Sequence, residues 1–296
     1  MLSVLRSDSV LGSGEAKSSD DFDDAHEQSG VHVSLRRQLE RRAPTGTRAF
    51  LRIADGDWGG ARPEDIEVVA RSVVEVLTQG VAGDVSVRID ATSGSPVALR
   101  RLGSRGEFIV RLCVQGNQWA QLSYQFAHEF CHILADVTTW RSDRFAWLEE
   151  ALCETASLCA LRSLARTWAV RTPYPGQPRY PGKFAAYAAW RMQDEARTLP
   201  SGIDFQEWLA RQLSLLQADA ERRDDNTIIA KELLPVFEAD PTAWRAIRYL
   251  HGWLRDDGAT LPEFLSSWSQ ACPEDVRSVV GCIAEVLVVR ASASVR

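Results

Sequence analysis

The stretch that decides the reading is QFAHEFCHILADV, residues 125–137. Two histidines four residues apart, His128 and His132, enclose Glu129, Phe130 and Cys131. The surrounding NQWAQLSYQFAHEFCHILADV has the apolar spacing of one helix. On a helix, residues four apart share a face, with Cβ atoms about 5–6 Å apart. Both imidazoles can therefore reach a single ion. A zinc ion takes about four ligands in tetrahedral array, and a catalytic site leaves one position open to water. Glu129, directly after the first histidine, can lie beside that position as general base. The alternative is a helix that carries two half-exposed histidines and no ion.

The next helical segment, DRFAWLEEALCETASLCALRSLARTW, tilts the balance. Glu150 and Glu154 are four apart on a stripe that also carries Trp147, Ala151, Leu158, Leu161 and Ala165. Two acids on one apolar face repel each other and are costly to desolvate, and a nearby cation removes that cost. HEFCH followed after seventeen residues by the Glu of WLEEAL resembles the gluzincin metallopeptidases, most closely their aminopeptidase-like branch. The resemblance covers about residues 125–158. It implies His128, His132 and Glu150 as ligands of one Zn2+ per chain, and Glu129 as general base. It also implies Glu154 as the acid that orients a ligand histidine. The spacing is one residue shorter than the family norm, which admits Glu149 beside Glu150. The face shared with Glu154 and the alignment to W-L-N-E both choose Glu150. Glu149 stands where the family often has Asn, and Ala151 where it has Gly. No GxMEN-like exopeptidase motif lies upstream.

The family also uses a tyrosine at a helix start to stabilise the developing oxyanion. RYPGKFAAYAAW offers Tyr180 for this role, with Tyr174 and Tyr187 as rivals and His251 as a weaker one. Asp136 reads either as a partner to the metal site or as the helix end. Trp140 and Trp147 read as core, and Cys131 as buried and not a ligand.

Outward from the site, the chain divides in three. Residues 1–44 are rich in Ser, Asp and Gly and read as a disordered acidic tail. In residues 1–30 seven acids face only Arg6 and Lys17, so these carry −5 of the chain's −6. Residues 45–170 read as a zincin-like catalytic domain and 171–296 as an α-helical C-terminal subdomain. RPEDIEVVARSVVEVLTQ is a helix with Pro63 and two acids in its first turn. DVSVRID, PVALRRL and EFIVRLCVQ read as strands. The fold class is α+β. A small mixed sheet with an edge strand packs on the HExxH helix, and EFIVRLCVQ reads either as the edge strand that pairs with an extended peptide or as an ordinary sheet strand.

The chain is 296 residues long, and its 45% hydrophobic and 25% charged content are those of a globular protein. The acidic balance gives no footprint for nucleic acid. No apolar run approaches the roughly 20 residues of a membrane span, and no secretory signal is evident, so a cytoplasmic location is expected. The six cysteines form no CxxC pair and read as reduced, buried thiols, with neither a disulfide framework nor a cysteine zinc site. The functional expectation is a zinc-dependent hydrolase acting on a peptide or protein substrate. The alternative is a metal-binding module of binding or regulatory role with little or no turnover.

Overall fold

A computed structural model describes residues 48–81, 83–139, 144–173, 180–252 and 258–288. The tail 1–44, Trp140 and Tyr174 lie outside the described residues. The fold is mixed α+β: a small four-stranded sheet and a larger set of helices.

The strands are β1 (Arg48–Ile53), β2 (Asp84–Ala91), β3 (Val97–Ala98) and β4 (Phe108–Leu112), in the order β1-β2-β4-β3. β1, β2 and β4 are parallel, and β3 runs antiparallel to β4. The helix α1 (Pro63–Leu77) connects β1 to β2, as a parallel pair requires. It has Pro63 in its first turn and buries Ile66, Val69, Val73 and Leu77. Ala49, Val87, Ile89, Val110 and Leu112 turn inward to the core. Phe50, Arg52, Arg88 and Arg111 alternate onto the opposite face.

One expectation about the sheet is corrected. EFIVRLCVQ supplies β4, which is an interior strand. The edge on its side is β3, reduced to two residues of PVALRRL, and β1 is the other edge. The burial of β4 explains its place. Ile109 and Val110 are successive residues that point to opposite faces, and both are buried, which suits a strand with neighbours on either side.

The helices that build the site are α2 (Trp119–Leu134) and α3 (Ala146–Val170). They are followed by α4 (Tyr180–Gln193), α5 (Phe205–Ala218) and α6 (Arg223–Ala239). A 3-10 stretch over Pro241–Tyr249 precedes α7 (Leu261–Ala271) and α8 (Arg277–Leu287). Within the region expected to be α-helical, TAWRAIRYLHGWLR is 3-10 as far as Tyr249. α7 has no counterpart in the sequence reading. Its signals are a Thr260/Glu263 capping box and a proline in the first turn. α3 is buried over most of its circumference, as befits a central helix. Buried side chains from Ala49 to Leu287 form one continuous core, so no break in packing marks residue 170. Among the described residues no helix is long and apolar enough to cross a membrane.

Phe126 on α2 is fully buried in this core. Phe126→Ala should lower the unfolding free energy by about 3–5 kcal/mol, and Thr260→Ala at the α7 cap by about 1 kcal/mol. Urea denaturation followed by circular dichroism measures both.

Candidate metal centre

α2 and α3 pack so that contacts run in opposite order along the two helices. The Ser157 hydroxyl donates to the Tyr124 carbonyl at 2.9 Å. His128 meets Glu150, and His132 meets Glu149. The two helices are therefore antiparallel, and their facing stripes bring the histidine pair against WLEEALCE.

The Nε2 atom of His128 is 3.3 Å from one Glu150 oxygen, and the Nε2 of His132 is 3.7 Å from the other. Metal–ligand bonds of about 2.0–2.1 Å in a tetrahedron set neighbouring donor atoms about 3.3–3.4 Å apart. The His128–Glu150 spacing is that of such a tetrahedron, and the His132–Glu150 spacing is a few tenths of an ångström longer. Cys153 adds a fourth donor: its sulfur and a nitrogen from each of His128 and His132 all lie within 4.8 Å of one another. This trio could hold a metal ion.

Cys153 was not among the expected ligands, although the helix geometry contains the signal. At about 100° per residue, Cys153 falls about 40° around from Glu149 and Glu150 about 100° around. Cys153 thus lies inside the arc that faces the histidines, and Glu154 lies outside it. The Cys131 thiol is buried beside Cys153.

Glu149 is 2% exposed and accepts from the His132 Nδ1 side at 2.7 Å. Its other oxygen is 3.1 Å from His251 Nε2. Glu149 therefore holds the ring of His132 with Nε2 aimed at Glu150, and ties the segment after the 3-10 stretch to the site. This corrects the role assigned to Glu154. Glu154 accepts hydrogen bonds from the Tyr124 hydroxyl and from Thr227 Oγ1, the latter at 3.2 Å. Arg191 lies over the Tyr124 ring and is 3.6 Å from Glu154. Neither His128 nor His132 touches Glu154 in this arrangement.

Glu129 is 4% exposed and accepts the backbone N–H of Ala98 at 2.6 Å. Ala98 pairs with Val110 across from β4, while the adjacent Leu99 N–H bonds Ile109. The Ala98 N–H thus faces the open side of the sheet edge, and the carboxylate of Glu129 closes it.

Electrostatics follow from this crowding. Burial raises the Glu129 carboxyl above its ordinary range, partly opposed by His128 and His132. Burial alone would depress His132, but Glu150 and Glu149 outweigh it and hold the imidazole at about 10. Burial works against ionised Glu149 as well, yet His132 and His251 bring it down to about 2. Glu150 is likewise lowered, burial being outweighed by His132 and His128. Burial pushes the Cys153 thiol well up. Two carboxylates thus stay ionised in a buried site only with cationic charge beside them.

Tyr180 starts α4, as its expected role requires, but its hydroxyl donates to the Asn117 carbonyl ahead of α2. Asn117 precedes His128 by eleven residues, about 16 Å along a helix. The Tyr180 ring packs among Trp119, Trp168 and Phe184, and burial raises its pKa to about 12. Tyr180 is therefore a packing residue and not an oxyanion donor. Tyr187 packs on Tyr124 and Trp190. Asp136 has a positive φ of 63° and binds Thr138 at the end of α2, so it terminates the helix. Trp147 and Cys131 are buried, as expected of them. An open polar hollow of about 780 Å³ lies between Arg52, Arg88 and Arg111, and none of the donor residues lines it.

Comparison of the chain with protein-family models, curated proteins and solved structures gives no match.

Tyr180→Phe should leave metal content unchanged and cost about 1 kcal/mol of stability. Glu154→Ala, which strands the Arg191 guanidinium, should cost about 3–5 kcal/mol. Metal analysis and thermal unfolding of both variants test this division of roles.

Proposed function

We propose that the chain is a zinc-dependent hydrolase, with His128, His132 and Glu150 as ligands and Glu129 as general base. The reading agrees with the gluzincin resemblance of residues 125–158. The observation that carries it is the convergence of both Nε2 atoms on the Glu150 carboxylate, at 3.3 and 3.7 Å. Two neutral imidazoles and a carboxylate are a donor set suited to zinc.

Zinc, when bound, would supply Lewis-acid polarisation of water and of a substrate carbonyl. The chain's own residues do the rest. Glu149 fixes the tautomer and direction of His132 through Nδ1. Glu129, buried with a raised pKa, takes a proton from the attacking water and returns it to the departing amine. The Ala98 N–H holds one oxygen of that carboxylate in place. With Tyr180 set aside, His251 is a donor held beside the cluster, through Glu149. The substrate class proposed is a peptide or protein, and Glu149 takes over the orienting role first given to Glu154.

One observation favours the second reading, a metal-binding module with little turnover. Cys153 lies with the histidine nitrogens, and a fourth protein donor closes a zinc site to water.

Protein purified without a His tag should carry about one zinc per chain by mass spectrometry. His128→Ala and Glu150→Ala should lose it, and Glu149→Ala should weaken zinc affinity about 10–100-fold. Glu129→Gln should keep the zinc and abolish hydrolysis of labelled casein. Absence of zinc from the native protein, even after zinc is supplied, overturns the proposal.

A further inference from the structure

We infer that Cys153 is itself a ligand of the bound metal, so that the resting site is a closed shell of His128, His132, Glu150 and Cys153. This rests on the metal reading above and deepens it: water or a substrate oxygen reaches the metal only by displacing the thiolate.

Three observations carry the inference. Cys153 lies within 4.8 Å of a ring nitrogen of each histidine, and the Glu150 carboxylate, one turn away on α3, lies 3.3 and 3.7 Å from the two Nε2 atoms. The donors number four, the count of a closed tetrahedral zinc site, where a catalytic site has three and a water. Cys153 is fully buried, at 0% exposure, on the arc of α3 between Glu149 and Glu150. No solvent lies on the sulfur to compete for the position.

The chemistry balances simply. As the metal binds, the S–H bond of Cys153 breaks, the sulfur keeps the electron pair and forms the bond to the metal, and the proton leaves to water. No electrons are exchanged and no oxidant is needed. A thiolate in the shell selects borderline-soft divalent ions such as zinc or cobalt over magnesium or calcium, which prefer oxygen.

The test uses the full chain, stripped with chelator and reloaded with cobalt(II). A thiolate-to-cobalt charge-transfer absorption in the near ultraviolet is expected for the wild type. It should vanish in Cys153→Ser and persist in Cys131→Ser. X-ray absorption on the zinc-loaded wild type needs no variant and should find one sulfur at about 2.3 Å. Cobalt bound with no charge-transfer band, or zinc with only nitrogen and oxygen neighbours, overturns the inference and leaves the three-ligand hydrolase standing. A band that follows Cys131 overturns it too. A wild-type chain that takes up neither metal removes both readings together, and that result is visible before any variant is made.

Discussion

The antiparallel contact between α2 and α3 is the constraint on which the rest depends. It matches Tyr124 to Ser157, His128 to Glu150 and His132 to Glu149 along a single seam. Apolar side chains on the other faces of the two helices, among them Phe126, Phe130, Leu152 and Leu158, are fully buried and hold the pair in place. The seam itself holds charge that cannot be stable alone in such surroundings. The packing around the pair fixes the register, and the register places the donors. A shift of one residue would carry Glu150 about 100° around its helix and away from both imidazoles.

Two clusters of buried charge share the seam, and each is balanced differently. Around Glu154 the compensation is internal to the protein: Arg191 supplies the cation, while Tyr124 and Thr227 donate hydrogen bonds. Around Glu149 and Glu150 the contacting cations are imidazoles, whose charge depends on protonation, and Arg100 adds attraction from farther off. That asymmetry separates a structural network from a site with room for an outside cation. It also draws together four helices and a remote loop, since Arg191 comes from α4, Thr227 from α6 and His251 from beyond the 3-10 stretch.

Much of this was legible in the sequence, for identifiable reasons. The meeting of His128, His132 and Glu150 was readable because helix spacing converts directly into shared faces. The helices α1 to α3 and the strand β2 were readable from apolar periodicity. Cys153 was hidden because a lone cysteine in an apolar helix looks like core, and only the facing arc of α3 reveals it. Glu149 and Glu154 exchanged roles because a face drawn from apolar neighbours marks what is buried, not what it is buried against. Tyr180 failed for a similar reason: its position at a helix start was right, but three aromatic neighbours claimed the ring. β4 was admitted as the edge strand because β3 has only two residues, too few for a pattern. The sheet order rests on long-range pairing that no local signal encodes. The Ala98–Glu129 contact joins residues 31 apart and belongs to the same class.

That last contact has a consequence for solubility as well as chemistry. An exposed strand edge is a template on which any extended chain can add, and proteins block such edges with charge, brevity or a covering element. β3 uses all three. It is two residues long, and it is closed from below by a helix whose carboxylate occupies the outward N–H. The group proposed to move a proton is also the guard against unwanted strand addition. Neutral replacements at position 129 are therefore not equivalent. Glutamine keeps an acceptor on the edge, whereas alanine or leucine would leave the N–H bare and invite self-association of otherwise well-folded chains.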